Sequence, residues 1–163
     1  MVQLLLQDER VDPSVDNNLA IRVASQKGYV EIVQLLLRYE RVDPSNYDNE
    51  GIRLASVNGH LEVVQLLLND ERVDPSDDDN WAIRLASEYG HLEIVRLLLQ
   101  DERVDPSVEN NYAIHWARKW GHMKVVDVLV NYRTEIKVMA RMCLKRKRVC
   151  KDIRTVIIKK LNI

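Results

Sequence analysis

The sequence predicts an all-α solenoid of stacked helix–turn–helix repeats, and three regularities of the chain lead to this prediction. The tetrapeptide Val-Asp-Pro-Ser occurs with a constant spacing of 31 residues, at 11–14, 42–45, 73–76 and 104–107. Glycine recurs with the same period, at Gly28, Gly59, Gly90 and Gly121. Each period also holds a short and a longer apolar segment with helical spacing. A fixed period in this range indicates units that bury their apolar faces only against neighbouring units.

Each repeat is expected to open with a turn and a short helix, as residues 74–87 illustrate. Asp74-Pro75-Ser76 is typical of a turn, because the residue before a proline is pushed out of the helical region. After a polar stretch, Asn80 is predicted to cap the first helix by accepting backbone N–H bonds. That helix then covers Trp81–Ser87. The equivalent capping residues are Asn18, Asn49 and Asn111.

A second, more apolar helix is predicted after each repeated glycine. Gly90 supplies the left-handed residue that ends the first helix. The next helix has one narrow polar stripe, formed by Glu93, Arg96 and Gln100, and is apolar elsewhere. Such a helix must be buried on several sides, so we expect it between the helices of neighbouring repeats. The same stripe recurs as Glu31/Gln34/Arg38, Glu62/Gln65/Asn69 and Lys124/Asp127/Asn131.

The order of loop, short helix, Gly-His and longer helix resembles the ankyrin repeat, most closely at residues 59–68 and 90–99. The resemblance covers residues 1–133. It implies a non-enzymatic scaffold that binds a partner protein through its concave face, formed by the loops and first helices. The 31-residue unit is similar to variant repeats of giant DNA viruses that infect amoebae. The predicted units are a half repeat 1–11 and repeats 12–42, 43–73, 74–104 and 105–133.

The repeat departs from the family pattern in two ways. Its period is shorter than the usual 33 residues or so, and the loop lacks a glycine-rich tip, which predicts a compact turn and not a β-hairpin. Arg22, Arg53 and Arg84 stand where the family has histidine, and only His115 keeps that residue. This ladder could bind anions. Pairing with acids or loop carbonyls of a neighbouring repeat is favoured, because a mostly buried arginine needs a partner.

A partner-binding surface is predicted at positions just after Val-Asp-Pro-Ser and just before each glycine. These positions carry Tyr and Trp, which are enriched at binding hot spots, together with carboxylates that favour a basic or mixed-charge partner. The alternative is that the aromatic residues pad grooves between repeats. The predicted partner-binding residues are Tyr47, Glu50, Asp77, Asp78, Trp81, Glu88, Tyr89, Tyr112, Lys119 and Trp120.

The two ends of the chain differ from the repeats. The half repeat 1–11 would leave Leu4 and Leu5 with an exposed side, which predicts fraying or self-association. Residues 134–163 are predicted to form a basic helical cap, with Thr134 at its start. Residues 133–163 contain 11 Lys/Arg against 2 Asp/Glu, whereas residues 1–132 contain 13 against 23. The run Lys145, Arg146, Lys147 and Arg148 is either a nuclear-import or nucleic-acid contact or the solvated face of the cap.

No residues are predicted to serve catalysis, a cofactor or a metal. The chain has no glycine-rich phosphate loop, no Gly-x-Ser-x-Gly and no His-Glu-x-x-His. His60, His91 and His122 share one repeat position, where helix packing would hold them roughly 8–10 Å apart. Cys143 and Cys150 would stand about 10 Å apart on one helix, too far for a disulfide.

The chain is expected to be intracellular and without a membrane span, because it has neither a signal-peptide pattern nor a run of about 18 apolar residues. The cytoplasm, of a host cell if the chain is viral, is the expected location, and the nucleus is the alternative. Nucleic acid is a less favoured partner than protein. Two other functions stay open: a nuclear or nucleic-acid adaptor acting through the basic tail, and a viral host-targeting adaptor for a ubiquitin ligase.

Overall fold

The computed structural model describes residues 11–146, with the side chains of Lys137 and of residues 139–146 excepted. Eight α-helices occupy this part of the chain, which contains no β-strand. The all-α class is therefore confirmed, and so is the compact turn in place of a β-hairpin. The helices are α1 Val15–Lys27, α2 Val30–Leu36, α3 Asn46–Val57, α4 Leu61–Leu68, α5 Asp77–Glu88, α6 Leu92–Leu98, α7 Val108–Lys119 and α8 Met123–Arg146.

The chain divides into two units, Met1–Ala82 and Ile83–Ile163. In the first unit, α1 packs against α2 and α3, and α4 packs against α2 and α3. In the second unit, α8 packs against α6 and α7. Each helix–turn–helix pair thus rests on a helix of the next pair within its unit, as the repeat pattern predicts.

The second helices bury their central apolar residues and expose the predicted polar stripe. In α4, Val63, Val64 and Leu67 are completely buried. Glu62, Gln65 and Asn69 are exposed, and they form the stripe that the sequence indicates. Burial of a leucine side chain contributes about 1.5–3 kcal/mol relative to leaving it exposed, so these short helices depend on packing for their stability.

The repeated glycines have two structural roles. Gly28 and Gly90 have φ angles of +72° and +78°, which confirms the predicted left-handed helix end. A Cβ atom at Gly28 would also lie 2.5 Å from Nδ1 of His60, and one at Gly90 would lie 2.5 Å from Nδ1 of His122. A histidine ring from the following repeat therefore lies directly against each of these glycines.

The asparagines predicted to cap the first helices act differently. Asn18 and Asn49 end three-residue left-handed turns, with φ angles of 60° and 57°, and both are buried. The Oδ1 atom of Asn18 accepts the N–H of Asp43 at 2.8 Å, and Oδ1 of Asn49 accepts the N–H of Asp74 at 2.9 Å. For Asn18 and Asn49 the capping prediction was wrong: their side chains join one repeat to the Asp-Pro turn of the next.

The Val-Asp-Pro-Ser turn is held by its own side chains. In the third copy, Oδ1 of Asp74 accepts the Ser76 N–H at 2.9 Å and the Ser76 hydroxyl at 2.7 Å. Val73 is almost completely buried. Just before it, Arg72 donates to the carbonyl of Val42 at 2.6 Å, and hydrogen bonds from Arg72 lower the pKa of Asp70. The tetrapeptide recurs because it combines an internally bonded turn with an apolar anchor.

The last helix does not begin where the sequence predicts a cap segment. Helix α8 runs without a break from Met123 to Arg146, across the predicted boundary between residues 133 and 134. Thr134 lies inside this helix and its hydroxyl donates to the carbonyl of Val130 at 2.8 Å. The prediction that Thr134 starts a helix was therefore wrong. Residues such as Leu129 and Tyr132 are buried on the inner side of α8.

Several predictions fall outside the described residues. The half repeat with Leu4 and Leu5 lies there, as do Lys147, Arg148 and Cys150. Lys145 and Arg146 are the last residues of α8, and their side chains, like that of Cys143, are also outside the description. The basic cap, its import signal and N-terminal self-association thus stay predictions. Across residues 11–146, no helix has both the length and the hydropathy needed to cross a bilayer.

Candidate functional site

The arginine ladder pairs with acids of the following repeat in the first unit. Arg22 forms an ion pair with Glu50, and Arg53 forms one with Asp78. The Arg22 guanidinium also lies 4.5 Å from the centre of the Tyr47 ring. For Arg22 and Arg53 the pairing interpretation is confirmed, and Glu50 and Asp78 help to hold neighbouring repeats together.

The other predicted site residues of the first unit are also bound internally or only partly exposed. Oδ2 of Asp77 accepts a hydrogen bond from Asn49 at 2.8 Å. The Tyr47 hydroxyl accepts one from Asn17 at 3.1 Å, although its side chain is 53% exposed. Trp81 is 38% exposed. In this unit the carboxylates of Glu50, Asp77 and Asp78 bond to neighbouring side chains of the protein itself. Tyr47 and Trp81 expose part of their rings to solvent.

In the second unit, Tyr112 lies at the centre of a cluster that includes the predicted residue Glu88. The Arg84 guanidinium lies 4.3 Å from the centre of the Tyr112 ring, and the Tyr112 hydroxyl donates to Oε2 of Glu88 at 2.9 Å. The Trp116 ring centre lies 5.6 Å from that of Tyr112. Burial of the phenol, followed by its hydrogen bond to the Glu88 carboxylate, raises the pKa of Tyr112 above its ordinary value of 10.0.

Two exposed aromatic side chains open onto one pocket beside this cluster. Tyr89 is 56% exposed and Trp120 is 58% exposed. Together with Glu88 and His122 they line an open pocket of about 380 Å³. The Lys119 ammonium lies 3.9 Å from the centre of the Trp116 ring and 5.8 Å from that of Trp120. We call Glu88, Tyr89, Tyr112, Trp116, Lys119 and Trp120 the aromatic patch.

This geometry agrees with the family to which the sequence belongs. The family model described as Ankyrin repeats (3 copies) matches residues 1–79 and, again, residues 52–141. The chain belongs to the ankyrin-repeat family. No curated protein matches it significantly. Ankyrin repeats are typically protein–protein interaction modules and are generally non-enzymatic.

The prediction of the partner-binding surface from the sequence missed two residues of the site, Trp116 and His122. Trp116 lies between Tyr112 and Lys119 in the cluster, and His122 lines the pocket. The signal for Trp116 was the i, i+4, i+8 spacing of Tyr112, Trp116 and Trp120, which places the three rings on one side of a helix. No local signal pointed to His122, because its sequence position is shared with His60 and His91.

Two of the repeat histidines make packing contacts. Nε2 of His60 lies 3.0 Å from the carbonyl oxygen of Gln26, in the preceding repeat. The His115 ring stands edge-on to Trp116, with ring centres 5.7 Å apart. Within residues 11–146, no three His, Cys, Asp or Glu side chains come together as metal ligands would.

Proposed function

We propose that this ankyrin-repeat chain is a non-enzymatic scaffold that binds a partner protein through the aromatic patch of its second unit. The observation that carries the proposal is the exposure of Tyr89 and Trp120, 56% and 58%, on the walls of one pocket. Large exposed aromatic side chains beside charged groups are characteristic of binding hot spots. Tyr47 and Trp81 of the first unit are proposed as further contacts, and Glu50, Asp77 and Asp78 support them through their internal bonds.

Comparison among the repeats argues against a padding role for the pocket aromatics. Lys27 and Asn58 occupy the positions equivalent to Tyr89 and Trp120. Helices α1 and α3 nevertheless form, as α5 and α7 do, with the same left-handed glycine after them. The repeat framework therefore does not require an aromatic residue at this position. A Tyr and a Trp that are more than half exposed there favour a function outside the fold.

Two rings of the patch, Tyr112 and Trp116, are held by internal contacts, which suits a binding function. Arg84 covers one face of Tyr112, the Tyr112 hydroxyl is bonded to Glu88, and Lys119 covers Trp116. Side chains fixed in this way lose little conformational entropy when a partner binds, at a saving of about 0.5–1.5 kcal/mol for each side chain that need not be ordered.

The proposal is tested by affinity capture with the wild type and a Tyr89→Ala/Trp120→Ala variant. Tyr29→Ala is the matched control, because Tyr29 is an exposed aromatic residue of the first unit. Each protein recovered with the wild type is purified, and its Kd for all three chains is measured. We expect the double variant to bind at least tenfold more weakly and the control to bind normally. Equal recovery and equal Kd for all three chains would show that the surface is wrong.

The charge of the C-terminal segment supports a second candidate, a nuclear or nucleic-acid adaptor. Residues 133–163 carry 11 Lys/Arg and only 2 Asp/Glu. If this segment contacts phosphates, DNA or RNA binding should weaken steeply with salt, and replacement of Lys145–Arg148 by glutamine should flatten the slope. The viral origin, the ubiquitin-ligase adaptor and the intracellular location rest on the sequence alone and stay predictions.

A further inference from the structure

We propose that the pocket bounded by Glu88, Tyr89 and Trp120 receives a basic side chain, arginine or lysine, of the partner protein. This inference rests on the proposed function and names the chemistry that the aromatic patch recognises. It depends on three features of the pocket: an uncompensated carboxylate, two exposed ring faces and a wall that packing holds in place.

The carboxylate of Glu88 has no cationic partner among the described side chains. Its Oε2 atom accepts the Tyr112 hydroxyl at 2.9 Å, whereas Oε1 receives no donor in the same part of the chain. Glu50 and Asp78 differ from Glu88, because each already forms an ion pair with an arginine of the ladder. A half-buried carboxylate with a free oxygen at a pocket wall is a ready acceptor for a guanidinium or an ammonium group.

The rings of the pocket offer the faces that cations prefer. A cation within about 6 Å of a Trp or Tyr ring centre is attracted by the negative face of the ring. Neighbouring rings already bind this protein's own cations in that way, Arg84 at 4.3 Å from Tyr112 and Lys119 at 3.9 Å from Trp116. Tyr89 and Trp120 are the two more exposed rings, and they share the pocket with Glu88.

The remaining groups at the pocket are structural or remain at its edge. His122 packs against Gly90, where an added Cβ would lie 2.5 Å from Nδ1, so its ring is a fixed wall. Lys119 lies 5.8 Å from the Trp120 ring centre but closer, at 3.9 Å, to that of Trp116, and Arg84 lies over Tyr112, 4.3 Å from its ring centre. An incoming cation therefore has to settle between Tyr89, Trp120 and Glu88, on the side away from Lys119.

The test uses two small probes and the ¹⁵N-labelled full chain. N-acetyl-arginine methylamide carries the guanidinium, and N-acetyl-citrulline methylamide is its uncharged isostere. Each is added up to about 50 mM in salt that screens long-range charge, since single-residue contacts have Kd values in the millimolar range. The Trp120 indole N–H, assigned with Trp120→Phe, reports on the pocket. Glu88→Gln is the diagnostic variant, because it keeps the acceptor for Tyr112. Glu62→Gln, an exposed acid on α4, is the matched control.

We expect the arginine probe to shift the Trp120 indole and the amides of residues 88–90, with the citrulline probe binding about tenfold more weakly. Glu88→Gln should weaken binding of the arginine probe about tenfold, and Glu62→Gln should leave the affinity for this probe unchanged. Equal binding of both probes would mean that the pocket takes an uncharged side chain. Shifts only elsewhere, or none, would overturn the inference. So would full binding by Glu88→Gln.

The outcomes also separate this inference from the proposed function. If partner capture depends on Tyr89 and Trp120 but not on Glu88, the surface is right and the basic side chain is wrong. If capture depends on neither ring, the proposed function fails whatever the probes do.

Discussion

Replacing Gly90 with alanine tests how closely one repeat rests on the next. A Cβ atom at Gly90 would lie 2.5 Å from Nδ1 and 2.6 Å from Cε1 of His122. Gly121 has the same φ of +78°, but no described atom lies within 4 Å of a Cβ placed there. The two glycines share a backbone conformation and differ in the histidine contact. Comparing Gly90→Ala with Gly121→Ala therefore separates the backbone cost from the steric cost.

Each of these costs has a known order of magnitude. An alanine in the left-handed region costs about 1–2 kcal/mol, and both variants carry this loss. Overpacking against the His122 ring adds about 1–3 kcal/mol at Gly90 alone. We expect Gly121→Ala to lose about 1–2 kcal/mol and Gly90→Ala about 2–5 kcal/mol. Each kcal/mol corresponds to about 2–4 °C in Tm for a chain of this size.

Urea unfolding followed by far-UV circular dichroism gives the free energies, and a double-mutant cycle with His122→Ala identifies the contact. His122→Ala should cost less in the Gly90→Ala background than in the wild type, because removing the ring relieves the clash. The same cycle can be run in the first unit with Gly28 and His60. Equal losses for Gly90→Ala and Gly121→Ala, or no coupling with His122, would refute the reasoning.

Three further predictions follow from buried or bonded groups. Leu67→Ala removes a fully buried side chain and should cost about 2–5 kcal/mol in urea unfolding, against less than about 0.5 kcal/mol for Gln65→Ala on the exposed stripe of the same helix. Asn49→Ala leaves the Asp74 N–H without its acceptor and should cost about 1–3 kcal/mol, whereas Asn58→Ala at an exposed position should cost far less. Tyr112 should ionise above pH 10.0 in the difference absorbance between wild type and Tyr112→Phe, and Glu88→Gln should bring the transition back toward that value. Since its folded-state pKa is raised, the stability linked to Tyr112 is present below pH 10.0 and is lost as pH rises through the folded pKa.

Features repeated in the sequence could be predicted well, because the same local environment occurs in each of several repeats. The spacing of Gly28 and Gly90 gave the left-handed helix ends. The helical spacing of apolar and polar residues in α4 correctly predicts that Leu67 is buried and Gln65 is exposed. The short loop before Val73 correctly excluded a hairpin among the described residues.

What the sequence could not show was which repeat supplies the partner of a given group. Asn49 has the local signature of a helix cap, but its side chain reaches a backbone N–H 25 residues later. His60 bonds to Gln26, 34 residues earlier. Thr134 looks like a start signal only if the preceding helix ends, and buried residues of α8 such as Tyr132 carry that helix past it. These contacts depend on the register between repeats, which a local pattern does not encode.

The candidate site was predictable in its residue types and not in its grouping. Tyr89 and Trp120 were singled out by position, and both are exposed. Glu50 and Asp78 were predicted on the same grounds, yet both pair with arginines. Local sequence could not distinguish these acids from Glu88, because the difference lies in whether a neighbouring repeat brings a cation within reach.

The central claim is that the pocket aromatics serve a partner and not the fold. Its most direct test is the free energy of unfolding of a Tyr89→Asn/Trp120→Asn variant, which places at both positions the residue that the chain itself carries at Asn58. We predict stability within about 0.5 kcal/mol of the wild type. A loss of about 3 kcal/mol or more, as for aromatic residues removed from a core, would contradict the account.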